Sequence, residues 1–525
     1  MKDLASYVCG KWTAGQGGAA TLVNPATEEP MATASTAGID LGATLAFARD
    51  RGGPALRALT FKQRGELLRA MSKSIHARRD ELLGLAIVNG GNTRSDAKFD
   101  VDGAIGTLAA YADLAQELGD TRVLLDGDAI QLGRSPRIFG QHVLVPREGV
   151  AVHVNAFNFP AWGLGEKAAC ALLAGMPVIA KPATATALVT HRLVEILVED
   201  KVLPEGVLSL LCGSAGDLLE KLGGQDVLAF TGSSATAALL RSGRAVTHAS
   251  THVNVEADSL NAAVLGPDAA DGSDLVNLFV GDVVRDLTQK TGQKCTAIRR
   301  VYVPAALVDA VVERLRERLV AVKVGDPSRE DVGMGPVATA QQLRDVREGI
   351  ARLAASGKTV CGGPEPVEAL GVAKGKGYFV APTLVVAAEP RRDDAAHSHE
   401  VFGPAATVMP YDGSAAQAGE RVAWGGGGLV CSVYSDDKEY VRDFVVRAAP
   451  MHGRVTIGTS KTASQAIPPG MALPQLLHGG PGRAGGGEEL GGTRGMTLYM
   501  QRVALQGDRS VIEAIAGKPA AATAG

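Results

Sequence analysis

The chain has 525 residues and a mass of 54.0 kDa, enough for two to four domains at roughly 100–200 residues each. It is 46% hydrophobic and 21% charged, which allows a sizeable core and excludes a disordered chain. With 53 Lys+Arg against 56 Asp+Glu the net charge is −3; that argues against nucleic acid as the main partner but leaves room for a small basic pocket.

Met1 to Leu4 lacks the apolar stretch of a signal peptide. Up to about residue 120 the chain reads as helices, notably 61–88. From Gly149 short β-type runs alternate with helical stretches. Strands are expected at 150–154, 177–180, 208–212 and 227–230, and helices at 161–174, 187–200, 216–222 and 234–243. Four β–α units in succession predict an open parallel sheet with helices on both faces. A second α/β series follows a domain change near 257–260. Its strands are expected at 261–265, 299–303, 407–409, 429–434 and 454–457, and its helices at 275–289 and 305–319. Residues 467–495 are rich in Gly and Pro and read as a long, substrate-facing loop. The longest apolar run, 168–180, is broken by Gly175 and Pro177 and is too short for a bilayer span of ~20 residues.

Six cysteines at 9, 170, 212, 295, 361 and 431 show neither a C-x-x-C pair nor zinc-like spacing, so a reducing cytoplasm is expected. There is no phosphate loop, no H-E-x-x-H, no G-x-S-x-G and no G-x-G-x-x-G after a strand. His397 and His399 lack an evident third ligand, and no metal is expected.

Five places carry chemistry. Cys295 in Thr291-Gly292-Gln293-Lys294-Cys295-Thr296 has small polar flanks, unlike Cys170 and Cys212 in apolar runs. It is a candidate nucleophile rather than a buried hydrophobe. Asn158 stands between a strand and a helix, where it can cap the helix, aim an amide donor at an oxyanion, or do both. Glu256 ends an apolar strand; in a partly apolar cleft its pKa would rise and suit a general base. Gly232 and Ser233 lead from a strand into a helix whose N-terminus can meet a pyrophosphate. Lys181, at the end of another strand, can bind a ribose or a phosphate or simply be exposed.

Taken in order, FNFP (157–160), Lys167, KPA (181–183), FTGS (230–233), Glu256, GQKC (292–295) and EVFGP (400–404) resemble the NAD(P)-dependent aldehyde dehydrogenase superfamily. The likeness runs from about Asn24 to Leu505. It implies an α/β fold: two open α/β sheet domains plus a small β oligomerisation arm. On that pattern residues 1–122 and 150–257 bind the cofactor, 258–489 form the catalytic domain, and 123–149 with 490–510 form the arm of a homodimer or tetramer. Cys295 would attack the aldehyde, Asn158 would hold the oxyanion, and Glu256 would activate water. Lys167 would lie near a proton relay, Glu400 and Phe402 would hold the nicotinamide riboside, and Glu489 aligns with a second acid of many members. Many NAD-using members carry glutamate three residues after the KPA-type lysine. This chain has Thr184 there, which with Lys181 favours NADP over NAD.

The region 453–495, with HGGPGRAGGGEELGG, departs from the usual run. It resembles the aldehyde dehydrogenase portion of the bifunctional ring-opening enzymes of phenylacetate degradation, and no fused hydratase is expected before Gly525. That resemblance implies a CoA-linked semialdehyde of aromatic-acid degradation as substrate. Three alternatives stand beside it: simple aliphatic or aromatic aldehydes, a CoA-acylating enzyme, and a non-catalytic binding protein. The general-base glutamate argues against the second, and the intact Cys, Asn and Glu against the third.

Overall fold

The computed structural model describes residues 2–515. The first large sheet grows from buried β-branched runs that form short strands. Its order is His252–Glu256, Val227–Thr231, Ala151–Val154, Val178–Lys181, Leu208–Leu210, Ser6–Val8, Lys11–Thr13. The first five run parallel, and the two N-terminal strands add antiparallel at one edge. From Ala151–Val154 the chain builds outward through Val178–Lys181 and Leu208–Leu210. It then returns to the other side for Val227–Thr231 and His252–Glu256. The order therefore reverses beside Val154, and ligand crevices form at the carboxyl ends of strands at such a point. Asn155 to Asn158 leave that end.

The Trp162–Ala174 helix closes at Gly175 in the left-handed region. Its N-terminal residue Ala161 offers no side-chain cap. Asp100 supplies one, accepting from the Ala161 and Trp162 N–H groups at 3.3 and 2.8 Å. Asn158 is thus not the helix cap and is left to face the cleft.

The second sheet runs Lys358–Cys361, Thr383–Val386, Ala405–Tyr411, Ile298–Pro304, Asn261–Leu265, Gly428–Tyr434, His452–Gly458, antiparallel only at its first pair. A third, antiparallel sheet joins Leu124–Gln131, Ile138–Pro146 and Met500–Asp508.

Several elements differ from expectation. Residues 2–34 form five short strands before any helix; their brevity hides the period-2 pattern. The helix expected over 61–88 breaks at Arg78 into Phe61–Ala77 and Arg79–Gly90. The helix expected over 216–222 is one 3₁₀ turn, Leu218–Lys221. The glycine-rich segment is folded, with Leu477–Gly479 pairing antiparallel to Glu488–Leu490. A Cβ at Gly479 would lie 2.0 Å from the Gly487 carbonyl oxygen, and one at Gly487 would lie 2.4 Å from that of Val255. Glycine here lets backbones pack against one another, where composition alone suggests a linker. Among the described residues no helix is long and apolar enough to cross a membrane.

Candidate active site

Cys295 stands at the end of a sharp bend between the Asp274–Thr288 helix and the Ile298–Pro304 strand. Lys290, Thr291 and Gly292 all take positive φ there. A Cβ on Gly292 would meet the Gly403 carbonyl at 2.2 Å, so that position admits only glycine. The bend is pinned from several sides. Asn261 Nδ2 donates to the Cys295 and Ala297 carbonyls at 2.8 and 2.9 Å. Thr296 Oγ1 donates to Gly470, and Lys294 Nζ lies 2.6 Å from Asp286. Cys295 keeps partial exposure between two cavities.

One cavity, about 40 Å³, is lined by the rings of Phe99, Phe159 and Trp162, and by Glu166, Lys167 and His478. The three rings pack edge-on at 5.3–5.7 Å. The other, a cleft of about 450 Å³, runs past Lys181, Gly232, Ser233, Glu400 and Phe402. Asn155, Asn158, Thr231, Glu256 and Cys295 line both. Asn158 Nδ2 donates to the Gln293 carbonyl at 3.0 Å. One of its two N–H bonds satisfies that contact, and the other is free for a ligand.

Around the thiol lies a buried polar cluster. His478 Nε2 is 3.1 Å from Glu256 Oε2 and 4.0 Å from Cys295 Sγ. Lys167 Nζ sits 3.1 Å from Glu489 and 3.2 Å from Glu166. Burial alone would push Glu256 up, as expected from sequence. The His478 imidazolium and, more weakly, Lys167 reverse this and hold it at about 2. Burial likewise opposes charge on His478, but Glu256 wins and raises it. Burial and the neighbouring Glu256 push the Cys295 thiol well above its usual range. Burial lifts Glu489 to about 7 against the pull of Lys167. The expected base therefore rests as a tightly held anion, while Glu489 and, in the cleft, Glu400 are the carboxyls raised to about 7.

The profile of the aldehyde dehydrogenase family matches residues 12–504. The chain belongs to the aldehyde dehydrogenase family. It is 43% identical over 481 residues to 3,4-dehydroadipyl-CoA semialdehyde dehydrogenase of Aromatoleum evansii, covering 91% of this chain and 93% of that one. It is 40% identical over 184 residues to Protein MaoC of Klebsiella aerogenes, 35% of this chain and 52% of that one. An NAD-dependent aldehyde dehydrogenase from Sinorhizobium meliloti shares the fold, with a TM-score of 0.84 over 100% and 97% of the two chains at 22% identity.

Membership of the aldehyde dehydrogenase family implies an NAD(P) cofactor, and the cleft offers groups to hold one. Glu400 is half-buried, lines the cleft, and has a buried Oε1 with no hydrogen bond within the chain. That oxygen is 3.7 Å from Arg299. A ribose hydroxyl is a fitting donor to it. Phe402 presents its ring beside Phe157 at 5.7 Å. At the Ser234–Ser242 helix, Ser233 caps Thr236 N–H, but Asp258 already accepts from the Ser234 N–H at 3.1 Å. An incoming pyrophosphate would have to displace that carboxylate. Thr184 lies just beyond the lining residues Lys181 and Ala183, and its hydroxyl donates to Gly213 at 3.3 Å.

Sequence reading missed His478, Glu166 and Asp100. His478 sits in the segment taken for a loop, 183 residues from Cys295, and no spacing links the two.

Proposed function

We propose that this aldehyde dehydrogenase oxidises 3,4-dehydroadipyl-CoA semialdehyde to its acid, with NADP preferred over NAD. The observation that carries the substrate assignment is the 43% identity over nine-tenths of the chain to an enzyme of that name. The aromatic cavity suits a linear acyl chain, with the CoA moiety left outside. Bound in the cleft, the cofactor supplies the hydride acceptor; the remaining tasks fall to the chain.

Cys295 Sγ adds to the aldehyde carbon as its proton passes to the Glu256 carboxylate and on to solvent, leaving Glu256 ionised for the later step. Asn158 Nδ2 and the Cys295 N–H stabilise the thiohemiacetal oxyanion. After oxidation the acyl group is held on Cys295 as a thioester. Glu256 then takes a proton from water, which attacks the thioester and frees the acid. Lys167 and Glu489 pass that proton toward solvent. Lys181 and Thr184 would hold the adenosine phosphate, Gly232 and Ser233 the pyrophosphate, and Glu400 and Phe402 the nicotinamide riboside. The absence of a carboxylate at position 184 supports NADP, because an acid there would repel a 2′-phosphate. Exposed Ile130, Ile138 and Val503 on the three-stranded sheet, with Leu132 just beyond one strand, support a homodimer built through that arm. Six free cysteines suit a cytoplasmic setting.

The test is the initial rate of reduced-cofactor formation from the CoA semialdehyde with NADP, against hexanal and against NAD. A higher kcat/KM for the CoA substrate with NADP supports the reading. Preference for hexanal removes the substrate assignment, and preference for NAD removes the cofactor assignment.

A further inference from the structure

Three side chains from distant parts of the chain converge where the two cavities meet. The nearest ligand atoms of Glu256, Cys295 and His478 all lie within 4.8 Å of one another. His478 Nε2 is 3.1 Å from the carboxylate and 4.0 Å from the sulfur. Glu256 keeps a second, buried oxygen, Oε1, that makes no hydrogen bond within the chain. We infer that Glu256, Cys295 and His478 form a binding site for a thiophilic divalent cation, zinc above all, which silences the enzyme while bound.

The donor set favours this class of ion. A thiolate, an imidazole and a carboxylate are ordinary zinc ligands, and sulfur with nitrogen disfavours magnesium or calcium. With metal–ligand lengths of about 2.0–2.3 Å, ligand atoms of a tetrahedral site lie roughly 3.3–3.6 Å apart. The distances observed straddle that range, and side-chain rotation closes the difference. A buried dication needs anionic partners, and the thiolate with the carboxylate makes the set neutral. On binding, the thiol and imidazolium protons leave to solvent as the S–metal and N–metal bonds form; nothing is oxidised. The fourth position opens on the cavities for a water. Other charges facing the trio are Glu166, Glu400, Lys167, Glu489, Arg299 and Arg454. These lie on other elements and are not needed as ligands. The inhibitory part of the inference rests on the reading of Cys295 as nucleophile; the binding part does not.

Cobalt(II), then zinc, titrated into the full-length protein tests the site. One cobalt per subunit should produce a near-ultraviolet thiolate-to-cobalt absorption band that zinc removes. Zinc should slow alkylation of Cys295 by iodoacetamide, and a chelator should restore it. Losing an outer hydrogen-bond partner of a metal ligand already costs ~10–100-fold in affinity, so His478→Gln should weaken binding at least about 100-fold. If that variant does not fold, Glu256→Gln tests the same ligand set. The inference is overturned if no band forms, or if the folded variant shows the same band and the same zinc protection as the parent, since the thiol alone would then explain both. Neither readout needs an aldehyde. A protein that binds cobalt in this way yet ignores the CoA semialdehyde would overturn the proposed substrate and support the cation site.

Discussion

The His478 imidazole and the Glu256 carboxylate form a buried ion pair 3.1 Å long, and it governs how Glu256 titrates. Burial favours the neutral acid and His478 favours the anion, and His478 prevails. Replacing the ring by a neutral amide in His478→Gln leaves burial in command, so the Glu256 pKa rises. Below that raised value Glu256 is protonated and accepts no proton from water. The acid limb of the kcat–pH profile should therefore move to higher pH in His478→Gln. An unmoved limb would show that Glu256 is not the titrating base.

Asn158 is held at the mouth of both cavities by its bond to the Gln293 carbonyl. On the proposed mechanism Asn158→Ala removes one donor to the developing oxyanion, which typically costs ~10²–10³ in rate. The expected loss is in kcat, with cofactor affinity measured by fluorescence quenching nearly unchanged. A loss confined to KM would place Asn158 in binding alone.

Thr184→Glu sets a carboxylate where a 2′-phosphate would approach. The ratio of kcat/KM for NADP over NAD should fall at least about tenfold, which corresponds to ~1.4 kcal/mol. Parallel steady-state assays with the two cofactors check this. An unchanged ratio would move the discrimination to another part of the cleft.

Glu400 is a buried carboxyl raised to about 7 by burial, against the opposing Arg299 charge. The folded state therefore holds a proton that the unfolded chain releases near its ordinary value of 4.5. This contribution to stability is complete below that value and is lost as pH rises toward 7. Glu400→Gln removes the dependence. Thermal melts should show the variant gaining on the parent between about pH 5 and about pH 8. A constant difference would mean that Glu400 does not titrate in that interval.

The motifs around Asn158, Glu256 and Cys295 were legible because each is local. A strand end, a small-residue bend and a polar flank announce themselves within six residues. Most of the parallel strands were legible as short buried apolar runs, and Asn261–Leu265 falls where the pattern puts it; Thr383–Val386 was not expected. The N-terminal strands were not legible, because three-residue strands show no period.

What the sequence determined by itself was the α/β class, the family and the residues proposed as reacting groups, all of which depend on residue type and local order. Only the tertiary structure decided their charge states. Glu256 reads from sequence as a carboxyl raised by an apolar cleft. The fold brings His478 to it from 222 residues away, through a segment whose glycines let it pack backbone to backbone against the Val255 carbonyl. Electrostatic energy depends on distance in space, and no spacing along the chain encodes it.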